Sequence, residues 1–319
     1  MEKIWAFLMH LGTNNWSKKG RSSLSEKDCE DFIYREELFC DKEVWRKVTE
    51  FLPSCGINTL LIDVEDGMQY DRHPEISVKG AWSKAELKEE LKRLRGLGLN
   101  PIPKCNFSCG HSAWLKDYAY MVGTATYDQV CKDIIEELIE VFDTPDYFHL
   151  GLEEEDMQSQ NLQPVAIVRA PYKKLRDAQF LFDVCRAHGV RPWIWADHRD
   201  VEAFGGDEAF QAGIGRDVVL SPWYYDFLRN RPDACEQYPI AKFIRDYSKL
   251  GYDLVPTGST WSWHLNNKEL MTATKRFADP KGIAGFMSAS WMLTTPKKYY
   301  ALLNDAFTFG NAKKDVYGE

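Results

Sequence analysis

Tyr147-Phe148-His149-Leu150-Gly151-Leu152 is an apolar, aromatic run that ends in four consecutive carboxylates, Glu153-Glu154-Glu155-Asp156. The run reads as a strand leaving a core, with the acids where it emerges. Adjacent negative charges repel, so at least one of the four is expected to hold its proton above the ordinary carboxylate range. A proton-bearing acid beside an ionised one is what cleavage of a glycosidic bond requires. One group protonates the leaving oxygen, and a second supports the positive charge that develops on the sugar ring. The alternative reading of the same residues is a solvated acidic turn.

Other residues of useful type stand after other apolar runs. In chain order they are His10 and Asn14; Asp63, Glu65 and Asp66; Lys104, Asn106 and His111; Glu153, Glu154 and Glu155; Trp195, Asp197 and His198; Trp223, Tyr224 and Tyr225; Thr260, Trp261 and Trp263; Ser290 and Trp291. The set is carboxylates, histidines and aromatics. It holds no cysteine nucleophile beside a base, and the chain has no Gly-x-Ser-x-Gly elbow. An indole covers the apolar face of a sugar, so 11 Trp, 15 Tyr and 17 Phe are enough to line a pocket as well as fill a core. Glu155 and Asp156 read as loop charges. Asp63 is flanked by apolar residues and reads equally as a buried structural group or a catalytic one.

The elements that must carry these residues alternate regularly. Strands are expected at Ile4–Leu11, Thr59–Val64, Asn100–Phe107, Tyr147–Glu153, Arg191–Asp197, Asp217–Trp223, Asp253–Thr260 and Gly282–Ser290. Helices are expected near Asp41–Ser54, Lys84–Leu97, Tyr127–Phe142, Pro171–His188, Asp207–Ala212, Pro239–Leu250, Lys268–Ala278 and Pro296–Phe309. Gly56, Gly98, Gly189 and Gly251 each end a helical stretch before a strand, and Ser83-Lys84-Ala85-Glu86 is a capping box. His188, next to one of these glycines, reads as structural. Eight strand–helix units predict an α/β fold, a (β/α)8 TIM barrel formed as a single domain over residues 1–319. An open doubly wound sheet is disfavoured, because the chain has no phosphate-binding glycine loop. The long connections follow the strands, which places the functional face at their C-terminal ends.

Composition excludes some partners. The chain has 319 residues, 44% hydrophobic and 28% charged, with net charge −8. No Lys/Arg patch interleaved with aromatics suits a nucleic acid. No run of ~18 apolar residues suits a membrane span. The first ten residues read as a strand rather than a signal peptide, and the eight cysteines lack paired spacing. Both features predict a cytoplasmic protein with reduced thiols. No cofactor and no metal is called for; a carbohydrate is the expected partner.

Three segments carry a family resemblance. Ile57-Asn58-Thr59-Leu60-Leu61-Ile62-Asp63-Val64-Glu65-Asp66, continued by His73-Pro74-Glu75-Ile76 and Gly80-Ala81-Trp82-Ser83, resembles the second-strand segment of family 20 glycoside hydrolases, the β-N-acetylhexosaminidases. Pro101 to Trp114, containing Cys109-Gly110-His111, resembles their third-strand segment, which ends in Pro-Gly-His. His149-Leu150-Gly151-Leu152-Glu153-Glu154 resembles their His-x-Gly-Gly-Asp-Glu signature. The resemblance implies a retaining, exo-acting enzyme in which the substrate's own 2-acetamido group is the nucleophile. It implies Glu154 as general acid/base and Glu153 as the group orienting the acetamido. It also implies that His111 and His149 support the site. The expected substrate-binding set is His10, Asn14, Glu65, Asp66, Asn106, His111, His149, Trp195, Asp197, Trp223, Tyr225, Trp261 and Trp291. The chain departs from the family at Glu153 for Asp, Leu152 for the second Gly and Asn106 for an aspartate. Lys104 or Cys105 stands for an acid, and His10 and Asn14 stand where an Arg is expected. These departures keep three alternatives open: another sugar specificity, an inactive glycan-binding barrel, and a metal-dependent isomerase or epimerase. In the last, His10, Asp63, Glu153, Asp197 and His198 would form a cage.

Overall fold

Alternation along the strands divides the apolar residues between two cores. The computed structural model describes residues 2–15, 33–157, 160, 165–228 and 237–318; Cys29 and Cys235 lie outside the described residues. The strands are β1 (Ile4–His10), β2 (Thr59–Asp63), β3 (Asn100–Lys104), β4 (Tyr147–His149), β5 (Arg191–Trp195), β6 (Val219–Ser221), β7 (Thr257–Gly258) and β8 (Gly285–Ala289). Ile4, Ala6 and Leu8 of β1 pack with Leu61, Ile102, Tyr147, Trp193, Val219 and Met287 in one cluster. Trp5, Phe7 and Met9 pack with the helices in the other. The first is the barrel interior and the second the layer between strands and helices, as a period of two requires.

All strand pairs are parallel, in the order β6-β5-β4-β3-β2-β1-β8-β7. Bridges Leu220↔Leu254 and Trp223↔Thr257 join β6 to the β7 side and close the ring. The ladder is weakest beside β3. Five registered pairs join β2 to β3, but only Lys104↔His149 joins β3 to β4. In a parallel strand alternate residues bond alternate neighbours. Cys105 and Phe107 donate toward β4, to the carbonyls of His149 and Leu150. Pro101 and Pro103 share that parity and have no N–H to donate.

Around the strands lie helices α1 (Lys42–Phe51), α2 (Lys84–Gly96), α3 (Ala125–Val141), α4 (Pro171–Ala187), α5 (His198–Ala203), α6 (Asp207–Gly213), α7 (Pro239–Tyr247), α8 (Asn266–Phe277) and α9 (Tyr299–Tyr317). All four glycines expected to end helices have left-handed backbone, and Ser83 caps α2 by accepting from Glu86 N. His188 is the C-cap of α4. Two expectations need correction. Helix α5 was not expected, because its six residues follow β5 almost directly. Helix α9 runs on past Phe309 through Gly310, whose missing side chain lets the helix lie against Cys55: a Cβ there would meet the Cys55 carbonyl oxygen at 2.5 Å.

Above the apolar interior the strands carry a polar tier. His10, Asp63, Lys104, His149 and Trp193 are in register across β1 to β5 and are all buried. This tier is the floor of the C-terminal face.

Candidate active site

Strand β4 stops at His149, earlier than Glu153, because the chain then turns left-handed. Gly151, Leu152 and Glu154 have φ of 73°, 74° and 51°. Gly151 has no alternative: a Cβ there would lie 2.1 Å from Asn106 Oδ1. Leu152 and Glu154 pay the steric cost that glycine avoids, and strain of this kind collects where a side chain must be aimed. The turn is held from β3. Asn106 Nδ2 donates to Glu153 Oε1 at 2.7 Å, while its Oδ1 accepts from Ser108 N at 3.1 Å. Ser108 Oγ donates to the Glu153 carbonyl. Gly110 lets the β3 loop lie against the acid turn, since a Cβ would meet the Glu154 carbonyl oxygen at 2.6 Å.

That approach delivers His111 to both acids. Its Nε2 is 3.0 Å from Glu154 Oε2 and 3.8 Å from Glu153 Oε1. Burial alone would lower the His111 pKa, but the Glu154 hydrogen bond and the two carboxylate charges outweigh it, and the net shift is upward. Burial pushes Glu154 up, but His111 and the charge of Arg199 pull it below the ordinary value. Glu153 goes the other way: burial raises it, and His111 and Lys104 only partly offset that. The two shifts have the signs of an ion pair between His111 and Glu154, and Glu153 is the acid held above its usual range.

The other side of Glu154 rests on α5. Asp197 caps that helix, accepting from Arg199 N and Asp200 N, and Asp200 returns the bond to Asp197 N at 3.0 Å. The remaining oxygen of Asp200 accepts from Glu154 N at 3.3 Å. Arg199 Nη2 is 3.8 Å from Glu154 Oε1, and its Nε is 3.2 Å from Asp197 Oδ2. Asp197, expected among the substrate contacts, also caps this helix. Neither Arg199 nor Asp200 was singled out from the sequence. The Asp197-x-x-Asp200 spacing at a strand end was the available signal.

Aromatics form a continuous wall. Trp195 meets Trp291 at 5.8 Å between centroids, Trp291 meets Tyr225 at 6.2 Å, and Tyr225 stacks on Trp223 at 5.2 Å. The Arg199 guanidinium lies 5.0 Å from the Trp223 ring centre. Trp291 is itself left-handed, with φ 53°. Glu153 Oε2, Trp195 Nε1 and Trp223 Nε1 are buried without a hydrogen-bond partner among the described residues. Buried polar atoms left in this state fit a site that a polar ligand completes. Trp261 stands apart: its side chain is 56% exposed, and among the described residues no ring contact joins it to the wall.

The β1–β2 side is different. Lys104 Nζ donates to Asp63 Oδ1 at 2.7 Å and lies 3.9 Å from Glu65; His10 Nδ1 is 3.1 Å from Asp63 Oδ2. Burial raises Asp63, but Lys104 and His10 reverse this and hold it far below the usual range. Burial and the Asp63 charge push Glu65 well above it. Asp66 is pushed up to about 7 by burial, and it accepts from Asn14 Nδ2 at 2.6 Å. Asn14 also braces residue 35, donating to the Arg35 carbonyl and accepting from its N–H. His149 Nδ1 accepts from Gly151 N, and burial with the nearby Lys104 charge keeps the ring neutral. Lys104 is the organising group here, and it too was outside the expected set.

Glu155 is not a loop charge. Its side chain is 4% exposed and pairs with Arg169, with Lys174 Nζ at 3.7 Å. The five residues of the supposed metal cage do not converge either. His198 is half exposed, Asp197 caps a helix and Asp63 is taken by Lys104. Among the described residues no group of three or more His, Cys, Asp or Glu is set to hold a metal ion.

The same architecture occurs in known proteins. Dispersin B matches over 100% of both chains with a TM-score of 0.61 at 13% identity. In fold, the barrel is similar to that of a solved GH20 β-N-acetylhexosaminidase from Streptomyces coelicolor, with a TM-score of 0.60 at 13% identity. A Streptomyces plicatus β-hexosaminidase in complex with its product GlcNAc gives 0.61 at 12% identity, over 97% of this chain and 64% of that one. A Flavobacterium johnsoniae chitobiase gives 0.60 at 15% identity, over 85% of this chain and 46% of that one. The chain thus spans less than two thirds of the latter two. At the level of sequence, no family model and no curated protein matches it. Identities this low make the likeness one of fold. No helix among the described residues is long and apolar enough to cross a membrane.

Proposed function

We propose that this chain, residues 1–319, is one catalytic barrel that hydrolyses a terminal β-linked 2-acetamido sugar with retention. The observation that carries the reading is the trio Glu154–His111–Glu153, with His111 Nε2 within 4 Å of both carboxylates, linked to the aromatic wall by Arg199, which lies 3.8 Å from Glu154 and 5.0 Å from the Trp223 ring centre. The proton needed by the leaving oxygen is stored on the His111–Glu154 pair. A bound sugar excludes water from Glu154, which favours its neutral form and moves the proton onto it. Glu153 Oε2, without a partner among the described residues, accepts the acetamido N–H. This aims the acetamido oxygen at the anomeric carbon and supports the charge that builds on nitrogen. The indoles stack on the ring and exclude water. Glu154 then acts as base toward the water that opens the cyclic intermediate. The unpaired spacing of the cysteines supports a cytoplasmic setting.

Glu153 is one methylene longer than the aspartate of the family signature. Its bond to Asn106 draws one oxygen back toward β3 and leaves the other for substrate. A panel of aryl β-glycosides with and without the 2-acetamido group tests the reading. Turnover is expected with the acetamido sugars. Equal or better turnover of the 2-hydroxy sugars would remove the substrate-assisted step.

A further inference from the structure

The peptide of Glu154 is gripped on both sides. Its carbonyl lies against Gly110, and its N–H donates to Asp200 Oδ1 at 3.3 Å. Asp200 Oδ2 accepts from the N–H of Asp197 at 3.0 Å. One carboxylate, 3% exposed, thus ties the end of β5 to the residue after Glu153. What it ties is strained: Glu154 sits at φ 51°, where a residue with a Cβ stays only if its surroundings hold it. Arg199, one residue earlier on α5, reaches the Glu154 side chain at 3.8 Å, so the first turn of this helix holds both backbone and carboxylate.

We propose that Asp200 is a positioning residue for the acid: by bridging the Glu154 and Asp197 amides it fixes the left-handed turn that aims the Glu154 carboxylate at His111. The proposal rests on the reading of Glu154 as the acid. Without the bridge, Glu154 relaxes toward ordinary backbone geometry and its carboxylate leaves His111 and the leaving oxygen. Asp200 touches no reacting atom; its effect passes through Glu154. A carboxylate is needed because one side chain must accept from two amides on different oxygens. Asparagine offers one accepting oxygen, and its NH2 group would face an N–H.

The test uses two 2-acetamido β-glycosides, one with an alkyl leaving group and one with dinitrophenyl. An alkyl leaving group needs its oxygen protonated; dinitrophenoxide leaves without help. Asp200→Asn is expected to lose about tenfold or more in kcat/KM on the alkyl glycoside, while staying within about threefold of wild type on the dinitrophenyl glycoside. Loss of packing alone would lower both equally, and that result, or no loss on either, overturns the proposal. Asp200→Glu keeps both oxygens on a longer arm and gives the same readout if the Asn variant does not fold. Glu154→Gln is the control. If it keeps alkyl-glycoside turnover, the acid reading falls and this assignment with it. If it shows the selective loss and neither Asp200 variant does, only the Asp200 assignment falls.

Discussion

Two acidic clusters stand at the same end of this barrel, and their fates differ. Asp63 ends β2, with Glu65 and Asp66 after it; Glu153, Glu154 and Glu155 follow β4. The first group is sealed, with Asp63 and its partner Lys104 both 0% exposed. Its charges are settled inside the protein: Lys104 and His10 hold Asp63 ionised, and Glu65 and Asp66 keep raised pKa values. In the second group Glu154 keeps 30% of its side chain exposed and hydrogen-bonds a histidine, while Glu155 is used up by Arg169 and Lys174. Residue type and strand-end position are nearly the same. The difference is that a buried lysine, which cannot give its proton at neutral pH, joins the histidine at the β2 acids, whereas Glu154 is partly exposed and has His111 as its hydrogen-bond partner. The β2 cluster is thus a floor, and the β4 cluster is where we propose the chemistry lies.

Lys104→Met should break this contrast most severely. It leaves Asp63 buried without its cation, at a cost of about 3–5 kcal/mol in unfolding free energy. Denaturant melts measure it. Adding Asp63→Asn should recover part of the loss, because the orphaned charge is then gone. Unaltered stability in Lys104→Met would mean that the floor pair is not structural.

Gly151→Ala comes next. The added Cβ meets Asn106 Oδ1 at 2.1 Å on a left-handed residue, so about 1–3 kcal/mol of stability should be lost. Because Asn106 must move, the grip on Glu153 is lost too, and acetamido substrates should react more slowly per folded molecule. A variant with wild-type melting and turnover would remove the turn from the account.

His111→Gln sharpens the comparison through pH. The His111 pKa is raised, so its proton is present at low pH and leaves as pH rises through the folded value. Activity should show a basic limb above the ordinary histidine value, and the variant should lose that limb with kcat down on the order of 10²-fold. Stability follows the same signs. The His111 contribution is full below the unfolded pKa of about 6.5 and fades as pH rises through the folded value. The Glu154 contribution, with its pKa lowered, is full above the unfolded value and fades as pH falls through the folded one. The pair therefore stabilises most in the window between. Melting temperatures across pH should show this maximum flattened in the variant.

Trp261→Ala is the smallest change. The ring is 56% exposed, so stability should move by no more than about 0.5 kcal/mol. A larger shift would place Trp261 in a packed role that its exposure does not show.

Much of this was legible in the chain. The recurring helix–glycine–strand pattern marked four of the eight strands, β2, β3, β5 and β7, where a left-handed glycine ends the helix, and the apolar runs marked the rest. Glu153, Glu154, Asn106 and His111 were found because they lie on two continuous segments, and the structure brings them together. The missed contacts act across segments. Lys104 meets Asp63 only through strand register, and Glu155 meets Arg169 fourteen residues away. Asp200 meets Glu154 only because a short helix follows β5. Local pattern carries elements and strand ends; partner choice among buried charges depends on register and on which loops cross.

The most direct test is the turnover of an unactivated 2-acetamido β-glycoside by Glu154→Gln beside wild type. A loss on the order of 10²-fold or more in kcat, with the fold and KM largely kept, is the expected result. Wild-type turnover by Glu154→Gln would contradict the account, because the acid would then have to be another group.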